Sequence, residues 1–154
     1  METIRRSVGL AGAPAALWGG VLSAGAPSVD DDEWVAPAEE RSIVSPLSPT
    51  NPEHLKKGRS LFVKHCLTCH GEQGRGDGPS ARLHARRSGY APRDLSRPDV
   101  QAGLTDGEIF WKIGLGWKPQ GRIVMPGLGD EVATEDRWRL VLYVRSLLQK
   151  GGPK

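Results

Sequence analysis

The stretch Cys66-Leu67-Thr68-Cys69-His70 decides how the rest of the chain is read. Two thiols three positions apart, with an imidazole directly after the second, form the attachment pattern of a c-type haem. Each cysteine sulfur adds across one vinyl group at the porphyrin edge, and the resulting clamp presses the next residue's imidazole against the iron. Cys66 and Cys69 are thus the expected thioether anchors of one covalently attached haem c, and His70 the expected proximal ligand. A redox disulfide of the thioredoxin kind would need a strand-helix-strand setting, whereas these flanks read as helix and loop. A structural zinc would need four nitrogen or sulfur ligands, and the chain has no third cysteine.

An iron that only carries electrons needs a second axial ligand. The chain has two methionines, Met1 and Met125, and the first is the initiator. Met125 sits in Ile123-Val124-Met125-Pro126-Gly127-Leu128-Gly129, where apolar neighbours exclude water and proline and glycine favour an irregular strap over a helix. A methionine most often just fills a gap in the core, but the upstream haem motif favours Met125 as the sixth ligand. The rival ligands are His54, His65 and His84. The first two are expected to be solvated on the helix ahead of the motif, and the third to lie in a loop.

Residues 1–26 have the layout of an export signal: Arg5-Arg6, a weakly apolar run from Val8 to Leu22, and Ala24-Gly25-Ala26. Pro27 is a poor residue after a cleavage point, so an uncleaved N-terminal anchor is the alternative, although the apolar run is shorter than the ~20 residues of a spanning helix. Residues 27–50 hold four prolines and the acidic run Asp30-Asp31-Asp32-Glu33, and read as a disordered leader in which Trp34 is exposed.

The globular domain is expected over 51–150, followed by a tail at 151–154. Thr50 or Asn51 can cap a helix with Pro52 in its first turn, Thr50 closing a capping box with Glu53. Leu55, Gly58, Phe62 and His65 follow at steps of three and four. After His70, Gly71 to Pro79 contains four glycines, as a backbone wrapping close beneath a flat macrocycle requires. A backbone carbonyl near Gly78 or Pro79 is the expected acceptor for the histidine's second ring nitrogen. Residues 80–104 are polar and basic and read as a loop over the haem propionate edge, with Arg93 a candidate propionate contact. A second helix starts at Thr105, with Glu108 in a capping box, and stops at Gly114. The last starts at Thr134, carries Trp138, Val141, Leu142 and Leu148 in a stripe, and is closed by Gly151. No period-two strand pattern of useful length occurs, so the fold is expected to be all-α, with about three main helices around the haem.

This order of helix, Cys-X-X-Cys-His, glycine-rich loop, helix, methionine strap and final helix resembles the class I cytochromes c over roughly residues 51–150. Gly58 and Phe62 match that family's contact positions on the first helix. Leu140 and Tyr143 look like their partners on the last, where a glycine lets the two helices cross closely. Gly76-Asp77-Gly78-Pro79, Pro92-Arg93-Asp94-Leu95, Thr105-Asp106-Gly107-Glu108-Ile109-Phe110-Trp111 and Met125-Pro126 are similar to small bacterial monohaem cytochromes serving respiratory chains and periplasmic dehydrogenases. The resemblance implies a periplasmic one-electron carrier and not an enzyme. A membrane-tethered cytochrome subunit of a larger redox complex is the alternative, and a ligand-binding or peroxidatic haem enzyme a further one.

Charge bears on the partners. The formal net charge is +3, but from residue 51 onward the chain holds 18 basic and 11 acidic residues, a balance of +7. The overall figure therefore conceals an acidic leader on a basic domain. Arg82, Arg86, Arg87, Arg93 and Arg97 lie close together in sequence, and a basic surface near the haem edge would steer docking to an acidic donor or acceptor protein. Nucleic acid is not an expected partner, for no binding motif is present.

Overall fold

The computed structural model describes residues 34 to 150. The expected export signal at 1–26, the start of the leader and the tail at 151–154 lie outside the described residues. The described chain is predominantly helical: α1 (Ala38–Arg41), α2 (Pro52–His65), α3 (Leu67–His70), α4 (Ala81–Ser88), α5 (Pro98–Ala102), α6 (Asp106–Leu115) and α7 (Thr134–Lys150), with a 3-10 turn at Pro119–Gly121. No strand occurs among the described residues, and an isolated antiparallel bridge pairs Trp117 with Met125. None of the described helices is long and apolar enough to cross a membrane.

The three long helices start where local chemistry sets them. At α2 the Asn51 side chain accepts from the Glu53 N–H at 3.0 Å, with Pro52 in the first turn. Thr50 instead hydrogen-bonds Ser48, so the cap is Asn51 alone and not the box with Glu53. At α6 the Thr105 hydroxyl accepts from the Glu108 N–H at 3.1 Å, as expected. That helix runs one residue past Gly114 and ends at Gly116, whose φ of 69° few other residues adopt. Glu135 and Asp136 stand in the first turn of α7, where the helix dipole favours acids.

The core is the crossing of α2 with α7, closed by α6. Gly58 brings the α2 backbone against Arg139 and Tyr143 of α7. One turn on, the Phe62 and Tyr143 rings meet at 5.2 Å. Phe62, Leu140, Val141 and Leu147 are fully buried, each contributing about 1.5–3 kcal/mol of hydrophobic stabilisation. From α6, Ile109 and Ile113 join the same cluster, and Phe110 stacks on Trp138 at 4.2 Å. Leu148, placed on the expected stripe, is exposed.

Two segments differ from expectation. The loop expected at 80–104 contains α4 and α5. Helix α4 is mostly solvated and buries only Ala81 and Ser88, so its sequence carries no apolar period, while α5 is only five residues long. The disordered leader expected through residue 50 is, from Trp34 onward, an ordered arm. Ala36 is buried, Leu47 packs on the core, and Trp34 is half-buried against Trp117. A few anchors suffice to fix an irregular segment of this kind, so no periodicity marks it.

Candidate haem site

The Cys66 to His70 stretch is the junction of two helices. Cys66 caps the C-terminus of α2, its N–H bonded to the Phe62 carbonyl at 2.8 Å, and Leu67–His70 form the single turn of α3. The turn thus brings Cys66, Cys69 and His70 together, and Cys66 packs against the core cluster. No disulfide engages either cysteine. Burial, and after it the neighbouring Cys69, pushes the Cys66 thiol up to about 12, and burial also raises Cys69. No group of three or more His, Cys, Asp and Glu side chains among the described residues is arranged to hold a metal ion.

His70 is half-buried, and burial holds its imidazole below the usual histidine range. The bond to the Arg93 carbonyl works against that shift, and the charge of His84 adds to it. Nδ1 donates to the Arg93 carbonyl at 3.1 Å. This acceptor is not the carbonyl expected near Gly78 or Pro79. It comes from Pro92-Arg93-Asp94-Leu95, which is drawn in by the bond from the Leu95 N–H to the Gly74 carbonyl at 2.6 Å. With the proton engaged on Nδ1, the remaining ring nitrogen carries the lone pair a metal needs. The Arg93 side chain itself is exposed.

The glycine-rich loop folds back on α3. The N–H groups of Gly76, Gly78 and Ser80 donate to the carbonyls of His70, Cys69 and Thr68 at 2.8, 3.1 and 2.8 Å. At Gly78 a Cβ would lie 2.5 Å from both the Leu67 and Thr68 oxygens. The space gained there is filled by the backbone of α3, so this glycine braces the haem-binding turn itself.

Met125 is half-buried and packs against the same core cluster as Cys66. Its backbone is tied on both sides: the Trp117 N–H donates to the Met125 carbonyl at 2.8 Å, and the Met125 and Val124 N–H groups donate to the Trp117 carbonyl at 3.1 and 2.9 Å. Trp117 is a residue that sequence reasoning missed, because nothing in the stretch from Leu115 to Arg122 signals a pairing with the strap. Of the three rival histidines, only His84 comes near enough to His70 for its charge to be felt, and it lies on α4 rather than in a loop. His65 is not solvated: its side chain is 8% exposed, with Nδ1 3.7 Å from the Glu131 carboxylate. His54 is half-buried on α2. Two adjacent cysteines to anchor the porphyrin edge, with an oriented imidazole and a backbone-anchored thioether as iron donors, are a set that fits a haem.

The cytochrome c family model matches residues 55–148. With this helical core and this attachment turn, the chain belongs to the cytochrome c family: it is a c-type cytochrome with covalently bound haem c, and a haem-based electron carrier. In the Kuenenia stuttgartiensis reducing HAO-like protein complex Kustc0457/Kustc0458, one chain superimposes with a TM-score of 0.52 at 26% identity. That match covers 68% of this chain and 47% of the other, so the chain spans under half of that neighbour's length. The KustC0563 c-type cytochrome aligns with a TM-score of 0.48 at 26% identity, over 58% of this chain and 95% of its own. No curated protein matches the chain.

Proposed function

We propose that this cytochrome is an exported, periplasmic monohaem carrier that accepts one electron from a respiratory or dehydrogenase donor and passes it to an acceptor protein. Cys66 and Cys69 are its thioether anchors, and His70 and Met125 its axial ligands. The observation that carries the reading is the His70 Nδ1 bond to the Arg93 carbonyl, which fixes the tautomer and leaves one ring nitrogen for iron. Haem bound there supplies a ferric/ferrous couple. The chain's part is to hold both ligands still: His70 through Arg93, and Met125 through the paired backbone of Trp117. Ligands fixed in this way change little between oxidation states, and a thioether in place of a second imidazole raises the potential. The exposed Arg93 side chain is available to a propionate.

A second reading is a membrane-tethered cytochrome subunit of a larger redox complex; the neighbour that belongs to the reducing HAO-like protein complex supports the complex, not the tether. The intact mass of the mature protein separates the two, because retention of residues 1–26 favours the tether. The test of the ligation is the visible spectrum of the reduced holoprotein before and after carbon monoxide. An unchanged spectrum is expected of a closed six-coordinate carrier; a carbonyl complex would instead mean an open distal site and a ligand-binding or peroxidatic haem.

A further inference from the structure

The arm at residues 34–47 lies ahead of the segment that matches the cytochrome c family, yet it reaches the strap that carries Met125 through Trp117. The Trp34 indole stacks on Trp117 at 5.5 Å with the planes 13° apart. The Lys112 ammonium lies 4.8 Å from the Trp34 ring centroid, and that ammonium is itself fixed by Glu108 at 2.7 Å. Tyr90 closes on Trp117 edge-on at 4.5 Å. The Trp34 N–H is buried and finds no acceptor among the described residues, so stacking and the cation hold this ring without a hydrogen bond. Trp117, gripped in this way, is the residue whose N–H and carbonyl pin Met125. The arm is seated at its other end on α6, where Gly107 leaves so little room that a Cβ would lie 2.0 Å from the Glu40 oxygen and 2.8 Å from that of Ile43.

We infer that the N-terminal arm is a fastener for the methionine strap, with Trp34 a positioning residue that acts through Trp117 to keep the Met125 sulfur on the iron. The inference rests on Met125 being the axial ligand. A strap on an irregular loop opens locally at a free-energy cost set by the few contacts that hold it down. Beside the strap's own backbone bonds, one of those contacts comes from outside the family core, the Trp34–Trp117 stack. Loss of the stack raises the fraction of time the sulfur is off the iron, without unpacking α2, α6 or α7.

The test uses ferric holoprotein of the full chain, with imidazole as the competing ligand. In W34A imidazole is expected to bind about tenfold faster, the fold-change that loss of an aromatic stack sets. The sulfur-to-iron charge-transfer band should weaken and the potential should fall, while W34F, which keeps a stacked ring, stays near the wild type. G107A is the second variant: alanine favours the helix but collides with the arm backbone, so it lifts the arm without touching the aromatic rings. It should reproduce W34A, and it decides the matter alone if W34A does not yield holoprotein. Wild-type imidazole rates and an undiminished band in G107A, and in W34A where it is obtained, would overturn the fastener. M125A separates the two levels. If it binds imidazole no faster than the wild type, the ligand assignment fails and the fastener with it; if it binds faster while W34A and G107A do not, only the fastener fails.

Discussion

Gly58 of α2 and Arg139 of α7 approach so closely that a Cβ on the glycine would lie 2.2 Å from the arginine's carbonyl oxygen. The obstacle is backbone and cannot swing aside. Gly58→Ala should therefore destabilise the domain by about 2–3 kcal/mol, although alanine gains about 1 kcal/mol as a helix former. Urea unfolding of the holoprotein measures it. Unchanged stability would mean that the α2–α7 crossing is looser than this geometry.

A second crossing is held by charge. Arg145 of α7 donates from Nε to Asp106 at 2.7 Å, and from its two terminal nitrogens to the Gln101 carbonyl and side-chain oxygens at 2.8 and 2.9 Å and to the Leu104 carbonyl at 2.6 Å. Gln101 in turn donates to the Leu95 and Val144 carbonyls at 2.7 and 3.0 Å. The planar fork ties α5 and the start of α6 to α7, which a point-charge ammonium cannot do. Arg145→Lys is expected to cost about 2 kcal/mol, or about 8 °C in Tm, because acceptors in this partly buried cluster lose their partner. A thermal melt within a degree or two of the wild type would show these bonds to be replaceable by water.

The parts of this architecture legible in the sequence are those with a period or a cap. Phe62 and Tyr143 meet because they recur at core spacing on long helices, and Thr105 caps α6 through a side chain that can be named from the sequence alone. The parts that were not legible rest on single contacts between distant residues. Nothing near Arg93 announces that its carbonyl, and not one beside Pro79, will meet His70. Trp34 reads as an exposed aromatic in a proline-rich leader, because its partner Trp117 lies 83 positions away in another irregular segment. His65 reads as solvated in the sequence, which does not show that the residues after the strap bring Glu131 against it.

Replacement of the proposed sixth ligand by a second imidazole gives a signed outcome. Thioether sulfur favours ferrous iron relative to imidazole, so Met125→His should lower the potential, on the order of 0.1–0.3 V within the ~0.8 V that axial ligands span. A redox titration of purified holoprotein reads the shift directly. A potential unmoved by the substitution would mean that the Met125 side chain is not on the iron, and His84 would become the next ligand to replace.

The arginines of α4 give the last prediction. The Ser80 N–H is bonded to the Thr68 carbonyl at 2.8 Å, and His84 lies near enough to His70 for its charge to be felt, so α4 lies beside the haem-binding turn. Arg82, Arg86 and Arg87 are exposed there and form no ion pair among the described residues, whereas Arg97 is paired with Asp99 at 2.6 Å. Three uncompensated charges beside an electron-transfer site should attract an anionic reaction partner and repel a cationic one. Raising the ionic strength from about 0.01 to 0.15 M shortens the screening length from ~30 to ~8 Å. Oxidation of the reduced protein by an anionic metal complex should slow by about tenfold over that range, while a cationic complex should accelerate. Reversal of the three arginines to glutamate should slow the anionic reaction at low salt and leave little difference at high salt. If both complexes respond alike, the field at the electron-transfer site is not set by α4. A partner would then dock by shape and apolar contact, with the charge of the domain serving only its solubility.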